Sequence, residues 1–161
     1  MREFRKDWLE KWAEYAPIKV VVEDAVTKAS YTYSQLNSLS NYLAGWFKDM
    51  GLKSGDRIAV LSEFRVEYLV LLGAAMKMGY VLVPLNYRLS PRELMYMIKN
   101  CSPRLLLTEE KYGEYLRDQT MDKALIKLSM SELANALYKQ EGEMQQPISM
   151  DLEDDHPLFI L

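Results

Sequence analysis

Few residues in this chain could do covalent or metal chemistry, and their spacing limits what that chemistry could be. Among 161 residues there is one cysteine, Cys101, and one histidine, His156. A hydroxyl or thiol nucleophile needs a base within hydrogen-bond reach. The sole imidazole stands beside Pro157 in an acidic stretch, so no serine or cysteine can be matched with one. His156 reads as an exposed loop histidine. Cys101 shares a helix face with Leu94 and Ile98 and reads as an inert buried residue. Asp151, Glu153, Asp154 and Asp155 form an acidic cluster without fixed geometry, a solvated charge run rather than a cation site. No catalytic residue and no metal ligand is assigned on these grounds.

The seven glycines form neither G-x-G-x-x-G nor G-x-x-x-x-G-K-[ST], so neither a dinucleotide fingerprint nor a Walker loop is present. Gly51, Gly79 and Gly142 are placed as helix stops, and Gly73, beside Ala74 and Ala75, suits a helix lying close on a sheet. The ten methionines read as core filler.

The elements that would position these residues are well punctuated. Phe4, Trp8, Trp12 and Tyr15 recur on one helical stripe that Pro17 closes, and that stripe is expected to pack against the rest of the fold. The runs 18–23 and 30–33 flank a polar segment and predict a hairpin. Ser34 is placed as the cap of a helix reaching Met50. Gly51 follows as its left-handed stop, with Leu52 closing onto Phe47.

Further along, 58–61, 81–83 and 105–107 are unbroken apolar runs, the pattern of strands covered on both faces. Helices are expected over 66–78 and 91–101, the second with Ser90, Pro91 and Glu93 as a full capping box. A fourth run, 124–128, leads to another box, Ser129 with Glu132, and a helix through Leu137. Between them, 109–120 is polar and aromatic and reads as a short helix. Strand, helix and strand in this order need crossover connections, which yield a parallel sheet. The fold class predicted is therefore α/β, an open and largely parallel sheet with flanking helices plus a small β-hairpin.

Residues 142–157 read as a surface connection, after which the chain ends in Leu158-Phe159-Ile160-Leu161. A bare apolar strand is a poor terminus. The expectation is a polypeptide cut in mid-strand, with apolar surface exposed and self-association as the consequence.

Composition narrows the function classes. The formal net charge is −3, which offers no field for gripping a phosphate backbone, so nucleic acid is not an expected partner. No apolar stretch approaches the ~20 residues that span a bilayer, and the charged N-terminus has no secretory h-region. A cytoplasmic protein is the default expectation.

A set of phrases in fixed order carries more. Thr32-Tyr33-Ser34-Gln35-Leu36 is followed by Gly55-Asp56-Arg57-Ile58-Ala59-Val60. Next comes Ala74-Ala75-Met76-Lys77-Met78-Gly79-Tyr80-Val81-Leu82-Val83-Pro84-Leu85-Asn86-Tyr87-Arg88-Leu89. Ser90-Pro91-Arg92-Glu93-Leu94 and Asp155-His156-Pro157-Leu158-Phe159-Ile160-Leu161 complete the series. Together they resemble the N-terminal region of the adenylate-forming (AMP-binding) superfamily, which includes acyl-CoA synthetases, luciferases and peptide-synthetase adenylation domains. The likeness runs from about Pro17 to Leu161.

The resemblance implies that residues 1–161 are a partial N-terminal domain, truncated before the phosphate-binding loop. It implies for the parent an ATP-dependent acyl-CoA synthetase using ATP, Mg²⁺ and coenzyme A. A carboxylic acid, in the leading reading a medium or long fatty acid, attacks the α-phosphate of ATP, and a thiol then takes the acyl group. The loop that meets the phosphates and the catalytic lysine lie beyond Leu161, so the fragment alone is expected to be inactive and to bind no cofactor. One residue is carried over: Arg88, of Asn-x-Arg-Leu, whose counterpart in some acyl-CoA ligases lies near a coenzyme A phosphate. The chain departs from the family at Ser62-Glu63-Phe64-Arg65, where a Pro-Asn pair is common. Two alternatives stay open: a stand-alone α/β binding or interaction module, and an amino-acid-adenylating or luciferase-like relative.

Overall fold

Local signals in the chain account for most of its elements. The computed structural model describes residues 7–25, 27–116, 120–139, 147–150, 152 and 156–160. Helix α1 is Trp8–Tyr15, and strands β1 (Val20–Glu23) and β2 (Ser30–Thr32) pair antiparallel as the expected hairpin. Helix α2 spans Tyr33–Asp49. Strand β3 (Arg57–Leu61), helix α3 (Val66–Met78), strand β4 (Val81–Pro84) and helix α4 (Pro91–Cys101) follow. Strand β5 (Leu105–Thr108), a short helix α5 (Glu110–Gly113) with a 3₁₀ turn (Glu114–Leu116), strand β6 (Ile126–Ser129) and helix α6 (Met130–Tyr138) complete the order.

The helix stops work as the residues require. Gly51 has φ +87°, its N–H donates to the Lys48 carbonyl at 2.9 Å, and the Leu52 N–H reaches the Phe47 carbonyl at 3.0 Å. That is a Schellman closure, with buried Leu52 against buried Phe47. Gly79 ends α3 in the left-handed region. The capping boxes at Ser90 and Ser129 are both formed.

The main sheet has the order β4-β3-β5-β6, all parallel. The runs 58–61, 81–83 and 105–107 are apolar because both of their faces are covered, whereas the edge strand β6 carries an exposed Lys127. Ile58, Val60, Leu82, Leu105 and Leu107 face a core shared with α2, α3 and α6. Ala59, Leu61, Val83 and Leu106 face a second core built on Leu94, Met95 and Ile98 of α4 with Tyr112 and Leu116. At the outer edge of β4, the Leu82 N–H donates to the Leu158 carbonyl at 2.8 Å. The Ile160 N–H returns to the Leu82 carbonyl at 2.9 Å. Phe159 thus pairs parallel with Leu82, and its ring and the Ile160 side chain remain substantially exposed.

Several expectations are corrected. The aromatic stripe is not the buried face of α1: Leu9 is buried, whereas Trp8, Trp12 and Tyr15 are exposed, with Trp12 stacked on Tyr33 at 5.9 Å. Phe4 lies outside the described residues. The cap of α2 is Thr32, not Ser34, because Thr32 and Gln35 satisfy each other's backbone N–H groups in a full box. Gly73 serves contact between helices rather than helix on sheet, since a Cβ there would lie 2.2 Å from Ser40 Oγ and 2.8 Å from a Leu9 methyl. His156 is half-buried, with Nε2 2.7 Å from the Gly79 carbonyl. Cys101 is half-buried, and burial pushes its thiol pKa up, as an inert residue requires. Gly142 and the acidic cluster 151 and 153–155 lie outside the described residues. Among the described residues no helix is long and apolar enough to cross a membrane.

Candidate functional site at the carboxyl edge of the sheet

Because the four strands are parallel, they finish on one edge, at Leu61, Pro84, Thr108 and Ser129. Open α/β sheets collect ligands at that edge. The segments gathered there are 62–65, 85–89 and 109–112.

The first and third are bonded into one unit. Strand β5 lies beside β3 with Leu61 opposite Thr108, which makes Ser62 and Glu109 the next pair along. The buried Glu109 carboxylate accepts the Ser62 hydroxyl at 2.7 Å and the Glu63 N–H at 2.8 Å. Glu63, on the solvent side, accepts the Lys111 ammonium at 2.7 Å and the Tyr112 hydroxyl at 2.8 Å. Lys111 also lies 3.4 Å from the second Glu109 oxygen. Its hydrogen bond, then that of Tyr112, holds the Glu63 carboxyl below the usual glutamate range. The same pairing raises the Lys111 ammonium pKa.

This unit replaces the Pro-Asn turn of the resemblance. Sequence reading marked 62–65 only as a departure and missed its partners. An acid directly after a buried strand, Glu109 after Leu105–Thr108, is the signal that was available.

The second segment leaves β4 with the Leu85 N–H bonded to the Val60 carbonyl at 2.8 Å. Asn86 then folds the backbone on itself. Its side-chain oxygen accepts the Arg88 N–H at 3.0 Å, and its carbonyl accepts the Leu89 N–H at 3.1 Å. Arg88 therefore stands just past the carboxyl end of β4, as the sequence placed it, with its side chain exposed. Its guanidinium lies 5.8 Å from the centre of the Tyr87 ring and forms no ion pair among the described residues.

Tyr87 in turn stacks on Tyr112, ring centres 5.1 Å apart and planes 19° from parallel. The Lys111 ammonium lies 4.8 Å from the centre of the Tyr112 ring. Nearby, Phe64 stacks on Tyr68 at 5.9 Å and is largely exposed. Among the described residues no group of three acidic, histidine or cysteine side chains could hold a metal ion. What this edge offers is two cations engaged by carboxylates, Lys111 and Arg65, the second 3.3 Å from Glu67, and one, Arg88, with no carboxylate partner among the described residues. An unengaged guanidinium on a fixed turn suits a phosphate oxygen.

Comparison with known proteins agrees with this architecture. The chain is 39% identical over 82 residues to a fatty acid–[acyl-carrier-protein] ligase, ScoC, of Streptomyces coeruleorubidus, covering 51% of this chain and 16% of that one. It is 35% identical over 99 residues to the medium-chain fatty-acid–CoA ligase of Escherichia coli, covering 62% and 17%. Against the 2-succinylbenzoate–CoA ligase of Bacillus licheniformis the identity is 35% over 108 residues, covering 67% and 22%. The matched regions thus span no more than about a fifth of these relatives.

Among solved structures, a fatty acyl CoA synthetase of Mycobacterium tuberculosis superimposes with a TM-score of 0.85 at 24% identity, covering 96% of this chain and 32% of that one. The structure of VinN matches equally well, at 0.85 and 24%, covering 96% and 40%. Both show the shared fold: a parallel sheet with flanking helices, as in the N-terminal domains of adenylate-forming enzymes. The family described as AMP-binding enzyme matches residues 9–161, and the chain belongs to it.

Proposed function

We propose that this chain is the N-terminal portion of an ATP-dependent acid–thiol ligase, which joins a small carboxylic acid to AMP and then passes the acyl group to a thiol. Coenzyme A is the acceptor in this reading, and a fatty acid of medium or long chain is the acid. The ligase names among the relatives support the reaction class. ATP and Mg²⁺ would be held by segments other than those described here. The medium is the cytosol.

Arg88 is read as a contact for a coenzyme A phosphate. The single observation carrying this is its exposed guanidinium on the Asn86 turn, without an ion pair among the described residues, at the edge where the parallel strands end. The chain's own part is to orient and to bind: the sheet holds the turn, and the Glu109–Ser62–Glu63 junction fixes the neighbouring wall.

The test is kinetic. In the complete ligase, Arg88→Ala should raise the KM for coenzyme A about tenfold, while acid-dependent ATP–pyrophosphate exchange stays within about twofold. An unchanged KM removes the phosphate contact. Failure of any acid to support exchange removes the ligase reading.

A second acceptor class is favoured by one observation, the carrier-protein ligase among the relatives. Running acyl carrier protein beside coenzyme A in the transfer assay separates the two.

A further inference from the structure

Arg88 sits on an exposed turn, and such a turn by itself leaves a long side chain free to swing. Two features restrain the backbone that carries this one. The first is internal, the Asn86 side chain accepting the Arg88 N–H at 3.0 Å. The second comes from a different part of the chain. Tyr87 is half-buried, and its ring lies on Tyr112 at 5.1 Å and 19°, within the range for offset stacking.

Tyr112 is itself fixed twice. Its ring is packed in the core beside α4, and its hydroxyl is held by Glu63 at 2.8 Å. A rigid ring on a buried support therefore sets where Tyr87, and with it the next residue, can lie. Lys111 on the same support is occupied by Glu63 and Glu109, so it does not compete with Arg88 for an anion.

We propose that Tyr112 is a positioning residue for Arg88, acting through the Tyr87 ring. The inference rests on the reading of Arg88 as a phosphate contact for its functional consequence, though not for the geometry itself. Its prediction is that the phosphate side of thiol binding depends on a residue that never touches the thiol substrate.

The test uses Tyr87→Leu, Tyr112→Leu and Tyr112→Phe. In the complete ligase both leucine variants should raise the KM for coenzyme A roughly fivefold, with ATP–pyrophosphate exchange within about twofold of the parent. Tyr112→Phe keeps the stack and should restore the KM to within about twofold. In the 161-residue chain, amide hydrogen exchange at Arg88 should quicken about tenfold in Tyr87→Leu, while Ala59 in the middle of β3 is unchanged.

Tyr87→Leu removes the stack at a half-buried position, so it keeps the test available should Tyr112→Leu not fold. An Arg88 amide unaffected by Tyr87→Leu overturns the positioning role, whatever the kinetics. If Arg88→Ala leaves the KM unchanged, the phosphate reading fails instead, and the exchange rates still decide the geometry.

Discussion

The ammonium of Lys77, fully buried near the end of α3, is paired with the carboxylate of Asp7, the residue that caps α1. Asn37 of α2 accepts from the same ammonium at 2.7 Å. The other Asp7 oxygen accepts the Glu10 N–H at 3.0 Å. One buried cation thus ties three helices together. A buried charge is tolerated only when its partners are in place, so this contact makes the position of α1 strongly dependent on a single side chain.

Lys77→Met should destabilise the chain by about 3 kcal/mol, since it strands the Asp7 carboxylate in a dry site. Denaturant titration measures this. Asp7→Leu combined with Lys77→Met should recover much of the loss, because an apolar pair leaves no charge to desolvate. Equal losses in the single and double variants would contradict the ion-pair account.

Gly73→Ala should also destabilise, even though alanine is the better helix former by about 1 kcal/mol. The new methyl would fall on buried Ser40 Oγ, which donates to the Val70 carbonyl at 3.1 Å. Overpacking of this kind costs about 1–3 kcal/mol. Thermal unfolding gives the sign, and Ser40→Gly in the same chain should relieve part of the strain.

Glu63 should contribute to stability in a pH-dependent way. Hydrogen bonds from Lys111 and Tyr112 depress its folded pKa. The folded state therefore holds the proton less well than the unfolded state. Its contribution is complete above the unfolded glutamate value of about 4.3 and fades as pH falls through the lower folded value. The pair is exposed, so the effect is small. Glu63→Gln should be the less stable protein at neutral pH, and the two stability curves should converge in acid. A gap that persists below that window would show that Glu63 acts by shape rather than by charge.

The 161-residue chain by itself should support no ATP–pyrophosphate exchange with any acid, because no phosphate-gripping loop is among its phrases. Exposed Phe159 and Ile160 on the outer sheet edge should make it self-associate. Sedimentation across a concentration series reads the second expectation; a monomer throughout contradicts it.

What the amino-acid sequence determined alone was most of the local structure. Strands β3, β4 and β5 were legible because burial on both faces leaves runs with no polar position. Helices α3 and α4 were legible because Gly79, Ser90, Pro91 and Glu93 act within one turn of where they stand. The cap of α2 was misplaced by two residues because two candidate caps sit close together, and only the reciprocal Thr32–Gln35 bonds choose between them.

The strand order was decided by tertiary structure. β5 does not lie next to β4, its predecessor, but crosses to the far side of β3. That placement brings Glu109 to Ser62 and Tyr112 to Glu63, and it holds Tyr87 against Tyr112. A pattern of apolar residues says that a strand is buried but not which neighbour it takes. The position of Glu109 after a buried strand was therefore legible, but the partners it meets at the carboxyl edge were not. Arg88 could be placed at that edge from its phrase alone, whereas the ring that steadies its turn became visible only once the sheet was assembled.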